Sequence, residues 1–315
     1  PMQKKIVLTG IKPTGSPHIG NYLGAIRPAL QYLKDEQYEQ FFFIADYHAH
    51  TGVKDAKLFK TYVYEIAATW LACGLDPKQV VFYRQMHVPE IFELSWLLAC
   101  HTPKGDMNRA HAYKALVQEN ENANNKDADH GVNMGLYTYP ILMAADILLF
   151  DANLVPVGKD QIQHVEIARS IANRINQYYR KMVLTLPQEM VQESLATVVG
   201  LDGQKMSKSY NNTIPLFATE KKLRDLCMKI KTDSTGPDEA KDPDNSLIFD
   251  LFKLFATSTE QLEMHEELLR GLSWGLAKEK LFNTINREVA GPREKYNELI
   301  KKQDYIDQVL FEGAE

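Results

Sequence analysis

The sequence predicts an α/β chain: a doubly wound (Rossmann-like), mostly parallel sheet with a helical insertion, followed by an all-helical C-terminal domain. Three observations carry this reading. Over residues 4–29 a β-rich run, Ile6-Val7-Leu8, leads through a Gly/Pro/Thr loop into an amphipathic helical pattern, the order in which such sheets aim backbone N–H groups at an anion. Further strand-like runs alternate with helical ones to about residue 176, as in parallel sheets with crossover helices. After Asn212 no strand alternation is evident. The expected division is an α/β domain over residues 1–212, with its helical insertion at about 85–140, and a helical domain over 213–315.

In the first loop two familiar phosphate-binding patterns fail. Residues 15–20 have the Walker A spacing, but Asn21-Tyr22 stands where Lys-Ser/Thr is needed, so no lysine reaches a terminal phosphate. The glycines at Gly10, Gly15, Gly20 and Gly24 do not fit the dinucleotide fingerprint either. What remains is Pro17-His18-Ile19-Gly20-Asn21.

The second strand is expected over 38–47, centred on Phe41-Phe42-Phe43-Ile44-Ala45. It ends in Asp46-Tyr47-His48-Ala49-His50, polar groups at the carboxyl end where open sheets bind ligands. His48 and His50 share a face in that reading. Without a third ligand nearby they read as a substrate contact and a hydrogen-bonded structural residue rather than a metal pair. Residues 55–73 read as a helix closed by Gly74 and followed by the strand Val80-Val81-Phe82-Tyr83. Residues 89–100 read as a helix with Pro89 near its first turn. Residues 105–117 are polar-helical, and 117–133 are acidic, Asn-rich and almost free of apolar residues, the composition of a mobile surface loop.

Residues 136–150 (LYTYPILMAADILLF) return to the core, with Asp146 a single carboxylate in an apolar helix. Burying it costs several kcal/mol unless a donor meets it. That donor is either a basic group of the same domain or an N–H or O–H of a bound ligand; Tyr139, Met143 and Ile147 around it favour the ligand. Residues 154–160 (LVPVGKD) read as a short strand turning into a helix over 161–176, with Asp160 as its N-cap; the same turn suits ribose hydroxyls. Residues 189–199 are ambiguous. Leu201-Asp202-Gly203 then turns into Lys205-Met206-Ser207-Lys208-Ser209. Beyond it, helices are expected over 219–231, 246–257, 259–269, 274–287 and 292–310, with 232–245 a polar linker. Lys221, Lys222, Arg224, Lys229 and Lys231 suit either an RNA-facing surface or an ordinary solvated helix face.

The chain has 315 residues, enough for about two domains. Hydrophobic content of 44% and charged content of 24% are those of a globular protein. No apolar run approaches the roughly 18–20 residues of a membrane span, and the expectation is no membrane partner. A net charge of −5 argues against indiscriminate nucleic-acid binding, so any RNA contact must be local. No apolar secretory segment opens the chain. Cys73, Cys100 and Cys227 show no CxxC or Cys/His pattern; they read as structural thiols of a cytoplasmic protein with no bound metal.

Taken together, the His18-Ile-Gly-Asn21 and Lys205-Met-Ser-Lys-Ser209 stretches resemble the two signatures of class I aminoacyl-tRNA synthetases, in the family's order, with Asn21 replacing the last His of the first. The resemblance covers nearly the whole chain and narrows to the tryptophanyl-tRNA synthetase family on residues 10–15 (GIKPTG), 18–25 (HIGNYLGA), 139–148 (YPILMAADIL), 155–161 (VPVGKDQ) and 205–209. It implies activation of L-tryptophan with ATP and transfer to tRNA(Trp) by a homodimer using Mg²⁺ held through phosphates. The insertion would lie at the dimer interface, and the C-terminal helices would read the anticodon.

The family's residues map onto this sequence in three groups. His18, Lys205 and Lys208 correspond to catalytic positions. Lys12, Pro13, Thr14, Gly20, Asn21, Gly158, Lys159, Asp160 and Val198 correspond to ATP contacts, together with Lys205, Met206, Ser207, Lys208 and Ser209. Asp146 corresponds to the acceptor of the indole N–H, Tyr139 and Gln161 lie around the α-amino group, and Leu8, Met143, Val155, Val157 and His48 line the indole pocket. A buried acceptor at Asp146 would reject phenylalanine, which leaves it unpaired.

Some positions depart from the family. Lys12 and Lys159 stand where it often has Gln or Arg, and Glu. Ala115 and Leu116 follow Tyr113-Lys114 where many members carry a second lysine. Three rivals share parts of the pattern. Tyrosyl-tRNA synthetase has the same fold, but the Met143-Ala-Ala-Asp146 context favours tryptophan. A nucleotidyltransferase would lack the second signature and the helical C-terminal half. A non-catalytic derivative would have lost Lys205 or Lys208.

Overall fold

A computed structural model describes residues 3–191 and 197–315. Of the ambiguous stretch 189–199, residues 192–196 lie outside the described residues, as do Pro1 and Met2 at the start of the expected first domain.

The first strand, β1 (Lys5–Ile11), ends in the Gly/Pro/Thr loop. The helix after it is α1 (Ile19–Asn21), a π turn over Tyr22–Ile26, then α2 (Arg27–Tyr32). Pro28 brings no amide to the ladder, and the turn ahead of it widens accordingly. Next come β2 (Tyr38–Ile44), α3 (Asp46–Ala49), α4 (Ala56–Cys73) and β3 (Val81–Arg84). The Asp55 carboxylate caps α4 by accepting from the amides of Lys57 and Leu58, and Gly74 closes it at a φ of 118°.

The insertion holds α5 (Glu90–Cys100), α6 (Lys104–Asn108) and α7 (His111–Asn122) and leads into α8 (Met134–Leu148). β4 (Leu154–Val157), α9 (Ile162–Tyr179) and β5 (Gln188–Val191) complete the sheet. The remainder is α10 (Glu220–Met228), α11 (Leu247–Phe255), α12 (Ser258–Leu269), α13 (Trp274–Leu299) and α14 (Gln303–Ala314).

The five strands are parallel in the order β3-β2-β1-β4-β5. From β1 the chain winds outward one way through β2 and β3, then returns to the other side for β4 and β5. The carboxyl ends of β1 and β4 therefore flank a switch point. Side chains alternate across the sheet: Phe42 and Ile44 enter one buried cluster with the C-terminal helices, and Phe43, Leu8 and Val155 enter the other beneath α8 and α9. The cluster with the C-terminal helices holds Ile11, Trp70, Met206, Phe252 and Leu310, so residues 213–315 share their core with the first part of the chain.

Several local expectations are corrected. β2 ends at Ile44, and His48 lies on the short α3 rather than on a strand. Asp160 does not cap the next helix: it sits in a single 3₁₀ turn over Lys159–Gln161, exposed, and α9 starts at Ile162 without a side-chain cap. The acidic stretch 117–133 is partly α7, and the loop after it is fastened by the buried Asn120, whose Nδ2 donates to Ala128 O at 2.8 Å and His130 O at 2.9 Å. Pro292 does not begin a helix but lies inside α13. Val289 before it and Tyr296 after it pack on the same cluster, which offsets the one lost hydrogen bond. The linker 232–245 wraps a buried lysine, Lys241, whose Nζ donates to the carbonyls of Gly236 and Glu239.

No described helix is long and apolar enough to cross a membrane. At the far end of the chain α14 lies against β3, so close that a methyl group on Gly313 would overlap the carbonyl oxygen of Phe82. Gly313→Ala is expected to lower stability in thermal denaturation by about 1–3 kcal/mol, the usual cost of overpacking. Gly275→Ala, on α13 with open space around it, is expected to change stability by under about 1 kcal/mol.

Candidate active site

His18 is the N-cap of α1, in a reciprocal box: its N–H donates to Asn21 Oδ1 at 3.0 Å, and Asn21 N–H donates to His18 Nδ1 at 3.3 Å. Because Nδ1 accepts, the neutral ring carries its proton on Nε2. Burial, and then the Lys208 charge, lower the His18 pKa to about 4, so near neutral pH the ring is an uncharged donor. Gly20 lets the ring lie over the backbone, since a Cβ there would meet the imidazole at 2.8 Å. Asn21 thus has a structural task that the sequence comparison with His did not suggest.

The second signature starts in the far arm of a β-hairpin, at Lys205 and Met206, and continues into a 3₁₀ turn over Lys208–Tyr210. Val199 bridges Lys205, Met206 N donates to Val198 O at 2.8 Å and Gly200 N to Gln204 O at 2.6 Å. Gly203 turns the hairpin at a φ of 85°, a conformation that favours glycine. Met206 points inward and is buried with Ile19 in one cluster. Lys205, Lys208 and Ser209 are exposed, and the Ser207 and Ser209 hydroxyls are 2.8 Å apart. Lys208 reaches across: a Cβ at Gly15 would lie 3.3 Å from its Nζ.

Between the two signatures is a cavity of about 480 Å³. His18, Gly20, Asn21, Val198, Lys205, Met206, Ser207 and Ser209 line it, with Gly24, Thr197 and Tyr210 as additions that the sequence reading missed.

A second cavity, of about 320 Å³, is built on the carboxyl ends of β1, β2 and β4. Its walls include Leu8, His48, Tyr139, Met143, Val155, Val157 and Gln161, each expected from sequence, Ile147, which was expected beside Asp146, and Phe43, which was not expected there. Lys12 and Gly158 stand at this cavity rather than the first, with the Lys12 Nζ 5.8 Å from the Tyr139 ring centroid. Pro13, Thr14, Lys159, Asp160 and Lys208 line neither cavity.

Asp146 is fully buried and stands one side chain behind the wall. His48 Nε2 meets its Oδ2 at 2.8 Å, and Gln85 Nε2 donates to both carboxyl oxygens at 2.8 and 3.0 Å. Burial raises the Asp146 pKa, and the bonds from His48 and Gln85 act against that rise. His48 Nδ1 is buried with no hydrogen-bond partner among the described residues, and the ring lies 4.1 Å from that of Tyr139.

Gln85 is the residue that sequence reasoning missed. Its Oε1 accepts from the amides of Tyr47 at 3.1 Å and His48 at 3.4 Å while its Nε2 serves Asp146. The signal was a polar residue just beyond a strand's carboxyl end, hidden because the strand was expected to stop at Tyr83. His164 was missed too: its Nδ1 lies 2.7 Å from Gln161 Oε1, and burial, then the nearby His48 and Lys12, lower its pKa to about 4.

His50, exposed, stacks on Phe59 away from His48. Among the described residues no group of three His, Cys, Asp or Glu side chains is placed to hold a metal ion. Of the candidate basic face, Arg224 is paired with Glu279 and stacked on Phe282.

A family model described as tRNA synthetases class I (W and Y) matches residues 2–289. A tryptophan–tRNA ligase of Neisseria meningitidis is 51% identical over 314 residues, covering 100% of this chain and 93% of that one. The Pseudomonas putida enzyme of the same name is 52% identical over 310 residues, covering 98% and 69%. A crystal structure of Campylobacter jejuni tryptophanyl-tRNA synthetase complexed with ADP and tryptophan superposes with a TM-score of 0.87 at 44% identity, over 98% of this chain and 93% of that one.

The two lowered histidines make stability depend on pH. The unfolded chain binds these protons near the ordinary 6.5, the folded chain only near 4. Their contribution is therefore whole above 6.5 and is lost as pH falls towards 4. The expected outcome is a melting temperature that drops between pH 6.5 and 5, and drops less steeply in a His18→Asn, His164→Asn double variant.

Proposed function

The chain belongs to the class I tRNA synthetases of the tryptophan and tyrosine group, among the tryptophan–tRNA ligases, and we propose on that premise that it activates L-tryptophan with ATP, releasing pyrophosphate, and transfers the tryptophanyl group to the 3′ end of tRNA(Trp). The observation that carries this reading is the meeting of both signatures around one cavity, beside an apolar cavity on the same strand end.

Adenylate formation needs the tryptophan carboxylate held in line with the α-phosphate and the charge on the departing pyrophosphate neutralised. Lys205 and Lys208 supply cations from the hairpin and the turn after it, and Ser207 and Ser209 supply hydroxyl donors. His18 contributes a neutral Nε2–H, a donor that cannot compete with the lysines as an acid at neutral pH. These groups act electrostatically, and no covalent intermediate with the protein is required. Mg²⁺ would be carried by the phosphates of the nucleotide.

The indole lies against Leu8, Phe43, Met143, Val155 and Val157, with its N–H directed to the His48 end, behind which Asp146 is bonded to His48 and Gln85. Tyr139 and Gln161 receive the α-amino group. ATP occupies the first cavity, with Gly20, Asn21, Val198 and Met206 against the nucleoside, while Lys12 and Gly158 stand at the tryptophan cavity beside it.

Residues 1–212 serve as the catalytic part, and 213–315 approach the anticodon, with the exposed Lys221, Lys222 and Lys229 available to RNA. The protein acts as a homodimer in the cytoplasm. Trp96 and Leu97 on α5 are 73% and 59% exposed, an apolar surface that a partner protomer would cover, and the three cysteines are free.

The test is exchange of labelled pyrophosphate into ATP, run with each proteinogenic amino acid in turn. Tryptophan alone is expected to support exchange. Exchange with tyrosine would overturn the pocket assignment, and exchange with none would overturn the function. Lys208→Ala is expected to lower kcat by about 10²–10³-fold, the usual effect of losing one donor to transition-state charge.

A further inference from the structure

Two backbone pairings join the signatures, and one side chain sits at the joint. Ile19 N donates to Ile214 O at 2.9 Å and Leu216 N to Pro17 O at 3.0 Å, so His18 and Pro215 pair antiparallel. One edge of this short ladder is the first signature. The other follows directly in sequence from the second signature, separated from it by residues 210–213.

Asn212 lies in that separation and is buried. Its Oδ1 accepts from Ser207 N at 2.9 Å. Its Nδ2 donates to Asp202 Oδ1 at 2.7 Å and to Lys205 O at 3.0 Å, with Gln204 O at 3.3 Å. Leu201 N donates to the Asn212 carbonyl at 3.0 Å. The carboxamide therefore holds the turn and the far arm of the hairpin, and the backbone carbonyl of the same residue holds the near arm at Leu201. Gly200 leaves the room for it, since a methyl group there would overlap the Asn212 carboxamide.

We propose that Asn212 is a positioning residue for adenylate formation: it clasps the second-signature hairpin to the strand that pairs with the first, and so fixes where Lys205 and Lys208 stand relative to His18. The proposal rests on the reading of these loops as the ATP site. A carboxamide is required because the joint needs an acceptor for Ser207 N–H and two donors at once. Aspartate, the closest shape, would face the Asp202 carboxylate and offer nothing to the Lys205 carbonyl. A misplacement of about 1 Å at reacting groups can cost about 100-fold in rate.

The experiment compares wild type with Asn212→Ala, Asn212→Asp and Gly200→Ala. It reads pyrophosphate exchange at varied ATP and at varied tryptophan, the dissociation constant of tryptophan without ATP, and the sites first cut by trypsin. Expected in all three variants is a fall in kcat/KM for ATP of about 10- to 100-fold, tryptophan affinity unchanged, and early cleavage after Lys205 and Lys208. Wild-type kcat and KM for ATP in Asn212→Ala or Gly200→Ala would overturn the proposal, as would an Asn212→Asp variant that matches wild type. Cleavage spread along the chain with tryptophan affinity lost would also overturn it, since the role would then be general stability. If wild type itself exchanges with no amino acid, the reading of the site fails, and the trypsin pattern alone shows whether the clasp holds the hairpin.

Discussion

Everything in the site depends on a topological constraint at β1. Its neighbours are β2, reached by the chain leaving to one side, and β4, reached by its return on the other. Two connections that depart in opposite directions cannot both cover the carboxyl ends between them, so a crevice is left there. The sequence fills it with what a phosphate and an aromatic side chain need. Leu8, Val155 and Val157 give apolar walls from the strands, and the loop after β1 brings the polar groups of the first signature.

The apolar half is made rigid by a buried polar network. Asp146 on α8 would be costly to bury alone, by several kcal/mol. Its partners come from two further places in the chain, His48 on α3 and Gln85 after β3. Gln85 is itself fixed by the amides of α3, and Asp46 at the head of α3 pairs with Arg84 at 3.0 Å while accepting from Met86 N at 3.1 Å. Three elements that share no local sequence are thereby locked at one depth. Removing a member leaves a buried group unmatched, which costs more than the bond it made. The shape of the apolar cavity is thus set by polar groups behind it as much as by its walls.

Much of this was legible because it is written locally. Gly/Pro punctuation and contiguous motifs mark the two signatures, and the Phe41–Ile44 run marks the central strand. Gln85 and Asn212 were not legible as functional positions, because each is a single amide whose partners are chosen by tertiary packing. Gln85 and Asp146 are 61 positions apart. Local rules also failed where burial outweighed them. Pro292 reads as a helix start, yet the apolar faces on both sides of it keep α13 whole. The acidic 117–133 stretch reads as mobile by composition, yet one buried asparagine satisfies the carbonyls of its turn. Asp160 has the chemistry of a cap, but β4 delivers it into a 3₁₀ turn where its side chain faces solvent.

The two signatures are held in opposite ways, and on the proposed reading the difference is chemical. His18 is buried, boxed by Asn21 and kept neutral, so it offers the same donor in the same place throughout. Lys205 and Lys208 are exposed on a hairpin and the turn after it, where water screens their charge while no phosphate is near. A fully buried lysine pair would bind triphosphate and pyrophosphate alike and slow release. Cations that gain strength only when ligand displaces water favour the state in which negative charge is concentrated. That arrangement requires an exposed loop whose backbone is nonetheless fixed. Backbone order must then come from beneath the loop rather than from its side chains, and the buried amide at position 212 supplies it.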